Sequence, residues 1–157
     1  MIYVRKSEFL STGFTHKGVT LIELLLVISI FLIVGVTSGS IASNFLVRNN
    51  LQNKVNEVVS TLRTAQLNSI SSKGDSRWGV TATTDDIILF RGDSYASRDP
   101  TYDEKFSIPK SVTVTSFEVA FNKLTGNPNQ VLTVILSNNI GESYTVSLNE
   151  VGIVDLN

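Results

Sequence analysis

Between Leu24 and Val36 the only polar side chain is Ser29, and one carboxylate, Glu23, stands at the head of this run, five positions after Gly18. An acid isolated inside hydrocarbon costs about 2.5–3.5 kcal/mol on insertion scales, so a lone acid beside such a segment marks a functional position with a partner. The residues around it suggest where a partner could come from. A chain cut after Gly18 would begin at Val19 with a cationic amine, which a neighbouring copy could offer to Glu23. From Val19 to Val36 there are 18 residues, and at about 1.5 Å per residue a helix of that length crosses most of a hydrocarbon core.

The run Lys17-Gly18-Val19-Thr20-Leu21-Ile22-Glu23, with the apolar stretch behind it, resembles the type IV prepilin signal. That signal is shared by type IV pilins and by the pseudopilins of type II secretion and DNA uptake. The resemblance covers residues 17–36 and implies four things. A prepilin peptidase cuts between Gly18 and Val19, the new Val19 amine is methylated, Glu23 pairs with such an amine on another subunit, and an inner-membrane platform assembles the subunits. Two positions depart from the usual pattern: Val19 stands where Phe or Met is common, and Thr37-Ser38-Gly39-Ser40 stands where many members carry a kinking proline. Gly13-Phe14-Thr15 mimics the cleavage site, but the position that needs an acid then holds Gly18.

Two plainer readings compete. Arg5, Lys6 and Lys17 could be the basic region of a secretory signal with Ser40-Ile41-Ala42 as its cleavage site, or the segment could be a signal anchor. The first places Glu23 inside or beside the apolar region, where a charge is unwelcome. The basic leader favours a cytoplasmic N-terminus and a C-terminal part across the cytoplasmic membrane, a single pass in the prepilin and anchor readings. Removing residues 1–18 leaves 10 basic and 13 acidic side chains, a formal charge of −3. That balance gives no footprint for nucleic acid, which shows as a clustered basic surface. Without cysteine, an exported domain must rely on its apolar core rather than on disulfides.

Beyond Ser43 the pattern becomes amphipathic. Leu51, Val55, Val58, Leu62 and Ala65 recur at helical spacing, with Val59 and Ile70 widening the stripe. Ser71-Ser72-Lys73-Gly74-Asp75 supplies the stop. One helix is therefore expected from Val19 to about Ser72, its first half facing lipid or sister helices and its second half lying on a globular domain. After Gly74 the periodicity becomes that of strands, at 78–83, 87–90, 112–114, 117–121, 131–136, 144–148 and 151–154, separated by turn residues. Helix first and strands afterwards predict an α+β chain, with the helix packed on an antiparallel sheet whose other face is wet. The expected divisions are a leader over 1–18, a transmembrane or filament-core segment over 19–42, an amphipathic helix half over 43–74 and a sheet domain over 75–157. This is the pilin layout. The C-terminal run Phe121, Gly126, Val131–Leu136, Tyr144–Leu148 and Gly152 also resembles the H-type minor pseudopilins (the GspH/FimT group).

Catalysis finds no support in this sequence. The single histidine, His16, lies in the expected leader, so imidazole bases, nucleophilic triads and the common zinc sites are excluded from the processed chain. Adjacent acids such as Asp85-Asp86 and Asp103-Glu104 point to opposite faces of a strand and read as solvated turn residues. No cofactor is expected. Residues 92–105 read as an exposed acidic loop whose spacing matches no standard calcium site, and Arg91-Gly92-Asp93 reads as a hairpin turn. Gly35 and Gly39, four apart, allow close helix packing in lipid, and equally soften the helix.

The expected function is that of a non-enzymatic structural subunit, minor in the assembly, of a type II secretion pseudopilus or type IV pilus-like filament. Its partners would be prepilin peptidase, other pilins or pseudopilins, the assembly platform and membrane lipid. A second class is a binding module for DNA or secreted substrate, with Arg48, Lys54, Arg63, Lys73 and Arg77 as candidate basic residues. A third is a membrane-anchored or secreted β-rich monomer.

Overall fold

The computed structural model describes residues 18–157, with residues 36–42 described by their backbone alone. The described residues form a long helix α1 (Leu21–Ile70), a 3-10 turn (Lys73–Asp75) and eight strands: β1 (Trp78–Ala82), β2 (Asp86–Arg91), β3 (Asp99–Ser107), β4 (Val112–Val114), β5 (Phe117–Phe121), β6 (Leu132–Asn138), β7 (Ser143–Leu148) and β8 (Val154–Leu156). It divides into two compact units, one ending at Gly39 and one running from Ser40 to Asn157.

In the first unit, the described part of α1 carries Leu21, Ile22, Leu24–Ile28 and Ile30–Val34 exposed. Among the described residues no helix is long and apolar enough to cross a membrane. The transmembrane expectation extends through residues 36–42, whose side chains lie outside the described residues.

The second unit is an α+β fold in which the rest of α1 packs on antiparallel sheets. The stripe read from sequence is the buried face: Leu51, Val55, Val58, Leu62 and Ala65 are almost wholly excluded from solvent. Val59 packs at its margin, while Ile70 is partly exposed. At the helix end the Ser69 hydroxyl accepts the Trp78 backbone N–H at 2.9 Å, and the Trp78 indole N–H donates to the Lys73 carbonyl at 2.9 Å. These bonds tie the first strand to the last helical turn.

Instead of one sheet, the strands form two of four strands each, ordered β3-β2-β1-β5 and β4-β6-β7-β8, with every pairing antiparallel. The chain changes sheet three times, between β3 and β4, β4 and β5, and β5 and β6; at the second change the Thr115 N–H donates to the Ile135 carbonyl at 3.0 Å. The inner faces of both sheets and the helix stripe share one core, with Val80, Leu89, Val119 and Phe121 from the first sheet and Val134, Leu136 and Val146 from the second. Strand periodicity identifies half-buried strands but not which neighbours they pair with, so one sheet and two were indistinguishable from sequence.

The segment expected to be an exposed loop over 92–105 is instead largely structured. Residues 99–107 are strand β3, paired to β2 across a bulge between Leu89 and Arg91. Residues 92–98 cover the outer face of the first sheet, where Phe90 and Ile88 are buried although outside the main core. Tyr95 meets Phe90 edge to face at 5.9 Å between centroids, and its backbone N–H donates to Glu118 Oε1 at 2.8 Å. The Arg98 guanidinium lies 3.7 Å from the Tyr95 ring centroid and pairs with Asp103 at 2.9 Å. Arg91 stacks on Tyr102 and pairs with Asp99 at 2.8 Å. The expected wet face therefore holds for the second sheet, where Thr133 and Ile135 are exposed, and fails for the first. Three of the acids that made this segment look like a solvated loop are counter-ions: Asp93 of Arg77, Asp99 of Arg91 and Asp103 of Arg98.

This strap has a pH dependence. The carboxyl of Asp99 is held below its ordinary value by hydrogen bonds from the Thr101 backbone N–H and hydroxyl, with Arg91 adding to the effect. The Lys123 ammonium does the same for Asp75, by hydrogen bond and by charge. A folded-state value below the unfolded one contributes stability above the unfolded value of about 3.9, and that contribution is lost as pH falls through the folded value. Trp78, the single tryptophan, touches Tyr102 of β3 edge to face and reports on the strap. Its fluorescence is expected to stay constant from about pH 8 to 5 and to change below about pH 4. A transition centred near pH 6 would show that other groups control this region.

Candidate functional site

Gly18 and Val19 precede the helix and are exposed, and a side chain at Gly18 would meet nothing within 4 Å. Thr20 stands between them and the helix, whose first residue is Leu21. The Thr20 carbonyl accepts the Leu24 N–H at 3.1 Å, the first turn of the ladder. The Thr20 hydroxyl accepts the Glu23 backbone N–H at 3.3 Å. Thr20 is thus the N-cap and Glu23 the third helical position, the spacing of a capping box. A carboxylate there also faces the positive end of the helix dipole.

This local role of Thr20 was missed in reading the sequence. The signal was present: a threonine followed three residues later by a glutamate, directly before an apolar run. The cap leaves the peptide bond after Gly18 outside the helix and places the Val19 nitrogen one residue ahead of it. The Val19 nitrogen and Glu23 therefore lie at the same helix end.

Gly35 lies on α1 with open space around it among the described residues. Gly39 is helical in its backbone, and its surroundings lie outside the described residues. Ser40-Ile41-Ala42 falls within α1. Lys17 and the basic residues before it lie outside the described residues.

The structure does not bring the candidate basic residues together as a free stripe. Arg48 pairs with Glu142 at 3.0 Å, Lys54 with Glu57, and Arg77 with Asp93 at 3.6 Å. Lys73 lies 5.1 Å from the centroid of the Trp78 ring. Counter-ions beside these cations reduce what a phosphate backbone would gain by displacing small ions.

Gln66 was also missed. Its Nε2 donates to the Gly126 carbonyl at 3.1 Å, joining the helix to the turn after β5. Gly126 and Gly152 both take positive φ, +71 and +85, a conformation glycine adopts at no steric cost. A Cβ at Gly152 would lie 2.1 Å from Gln66 Nε2 and 3.0 Å from the Gly126 carbonyl. Both glycines of the C-terminal resemblance therefore close on one helix side chain. Only the three-dimensional contact identifies that residue, since a glutamine on a helix surface has no distinguishing pattern.

Residues 13–38 match the family model described as the prokaryotic N-terminal methylation motif. No curated protein and no solved structure matches the chain. The match spans the glycine, the N-cap threonine, the acid and the apolar run together. The amino-terminal segment of this chain is a type IV pilin-like prepilin signal.

Proposed function

We propose that the chain is a non-enzymatic, minor subunit of a type II secretion pseudopilus or a related type IV pilus-like filament. The observation that carries this reading is the methylation-motif match over residues 13–38, combined with a helix start that leaves Gly18 and Val19 exposed ahead of the Thr20 cap. Prepilin peptidase cuts after Gly18, and the Val19 amine is methylated. The subunit waits in the cytoplasmic membrane with its C-terminal unit outside the cytoplasm. The assembly platform then moves it into a filament whose interior is made of the apolar helix segments.

Uncovered leucines, isoleucines and valines from Leu21 to Val34 support lipid or sister helices as their surroundings, because burying each such side chain contributes about 1.5–3 kcal/mol. Gly35 and Gly39 allow neighbouring helices to approach. In that interior the low dielectric strengthens the contact between a Val19 amine and the Glu23 carboxylate of another subunit.

Intact-mass measurement and N-terminal sequencing of the protein from its native membrane test the reading. The expected chain begins at Val19 and carries one added methyl group. A chain beginning at Met1 or at Ser43 would overturn it.

A further inference from the structure

The free edge of the second sheet borders an apolar groove, and the two together fit an extended peptide. Strand β8 is the edge strand, paired on one side to β7. Asn157 and Thr145 exchange both backbone bonds, at 2.8 and 2.9 Å, and the Asn149 N–H donates to the Ile153 carbonyl at 3.1 Å. Alternation along an antiparallel pair then assigns residues 153, 155 and 157 to the β7 ladder and turns the N–H and C=O groups of Val154 and Leu156 to the free edge. Beside this edge lies a groove of about 370 Å³ whose lining includes Arg63, Leu67, Val151, Ile153 and Val154. Its apolar walls are open to solvent: Leu67 is 64% exposed, Val151 58% and Ile153 55%. Arg63 is in no ion pair among the described residues.

Of the other three edges, β4 is only three residues long, and the two edges of the first sheet are closed to a strand. The β5 edge is bonded to the following loop, with the Asn129 N–H donating to the Ala120 carbonyl at 2.9 Å. The β3 edge carries Pro100, Asp103, Glu104 and Lys105, the residues that discourage strand addition.

We propose that β8 accepts an extended polypeptide strand from a partner, apolar at alternate positions and carrying a carboxylate that reaches Arg63. Main-chain bonds to Val154 and Leu156 supply the attachment, the groove receives every second side chain, and the unpaired guanidinium selects the acidic end. This site does not depend on how the N-terminal segment is processed.

The test uses the full chain in detergent micelles and a synthetic peptide of alternating threonine and valine ending in glutamate, with a lysine-ended peptide as comparison. Amide exchange at Val154 and Leu156 is expected to slow at least about tenfold with the glutamate peptide. Arg63→Glu is expected to invert the preference between the two peptides by about tenfold. Leu156→Pro removes an N–H that β7 does not use, so it should fold normally and bind at least about tenfold more weakly than Leu156→Ala. Equal binding by the proline and alanine variants, or unchanged exchange at both amides, would overturn the proposal. Protection that grows with protein concentration alone would place a second copy on this edge and overturn it as well.

Discussion

Replacing Glu23 by leucine is expected to leave the β-rich unit folded while reducing incorporation into filaments by more than about a hundredfold. The magnitude follows from stranding one member of a buried ion pair, which costs about 3–5 kcal/mol. The helix start provides an internal control. Glutamine serves at the third position of a capping box as well as glutamate does, so Glu23→Gln retains the local cap and removes only the charge. Thr20→Ala removes the hydroxyl that accepts the Glu23 N–H and costs about 1 kcal/mol of helix stability, with no change in charge. Glu23→Gln should therefore assemble as poorly as Glu23→Leu, and Thr20→Ala much better than either. The readout is the proportion of each variant in sheared filaments and in membranes when no wild-type copy is present. Wild-type incorporation of Glu23→Gln would show that the carboxylate acts through the cap and not through an intersubunit pair.

The largest effect on stability is expected from Gly79→Ala. Gly79 sits mid-strand in β1, between Phe90 of β2 and Ala120 of β5. A Cβ there would lie 2.4 Å from the tip of the Phe90 ring and 2.6 Å from the Val119 carbonyl oxygen. Neither neighbour can move freely, since the ring is held under Tyr95 and the carbonyl belongs to the adjacent strand. Overpacking of this kind costs about 3 kcal/mol, which lowers the midpoint of thermal unfolding by about 10 °C for a unit of this size. Adding Phe90→Leu removes the ring tip but leaves the carbonyl, so it should recover only part of the loss. Thermal denaturation of the three proteins, followed by the far-ultraviolet signal of the sheets, decides the matter. A Gly79→Ala variant within about 0.5 kcal/mol of the parent would mean that β1 and β5 separate easily at this point.

The two substitutions differ in how visible their targets were. Glu23 could be singled out because a carboxylate beside an uninterrupted apolar run violates local hydrophobic patterning, and such a violation marks function before any fold is known. Gly79 carries no such mark. A glycine inside a strand pattern signals a bulge or a close approach of another group, but nothing in the chain says that the approaching group is a phenyl ring eleven residues away (Gly79 to Phe90).

The helical stripe Leu51, Val55, Val58, Leu62 and Ala65 was legible for the same reason as Glu23. A helix that buries one face must repeat its apolar residues every three or four positions, so the periodicity is itself the cause of the packing. Most strands were likewise recognisable from alternation and turn residues. Strand β3 was not: its sequence Asp-Pro-Thr-Tyr-Asp-Glu-Lys-Phe-Ser is polar and contains proline, and it holds its place through one ladder with β2 and through Arg91 and Arg98 stacked on tyrosines. Its pairing with β2 and its ion pairs are long-range facts about other segments.

By itself the sequence determined the prepilin-type signal, the acid at the head of the apolar run, the buried face of the helix and the order of helix before strands. Each of these is written in neighbouring residues, where spacing alone fixes chemistry. Tertiary structure alone decided the division into two sheets, the covering of the first sheet by residues 92–98, the meeting of Gly126 and Gly152 at Gln66, and the open edge of β8 beside its groove. Those features depend on which distant strands pair and which side chains then collide, and pairing is settled by the packing of the whole unit.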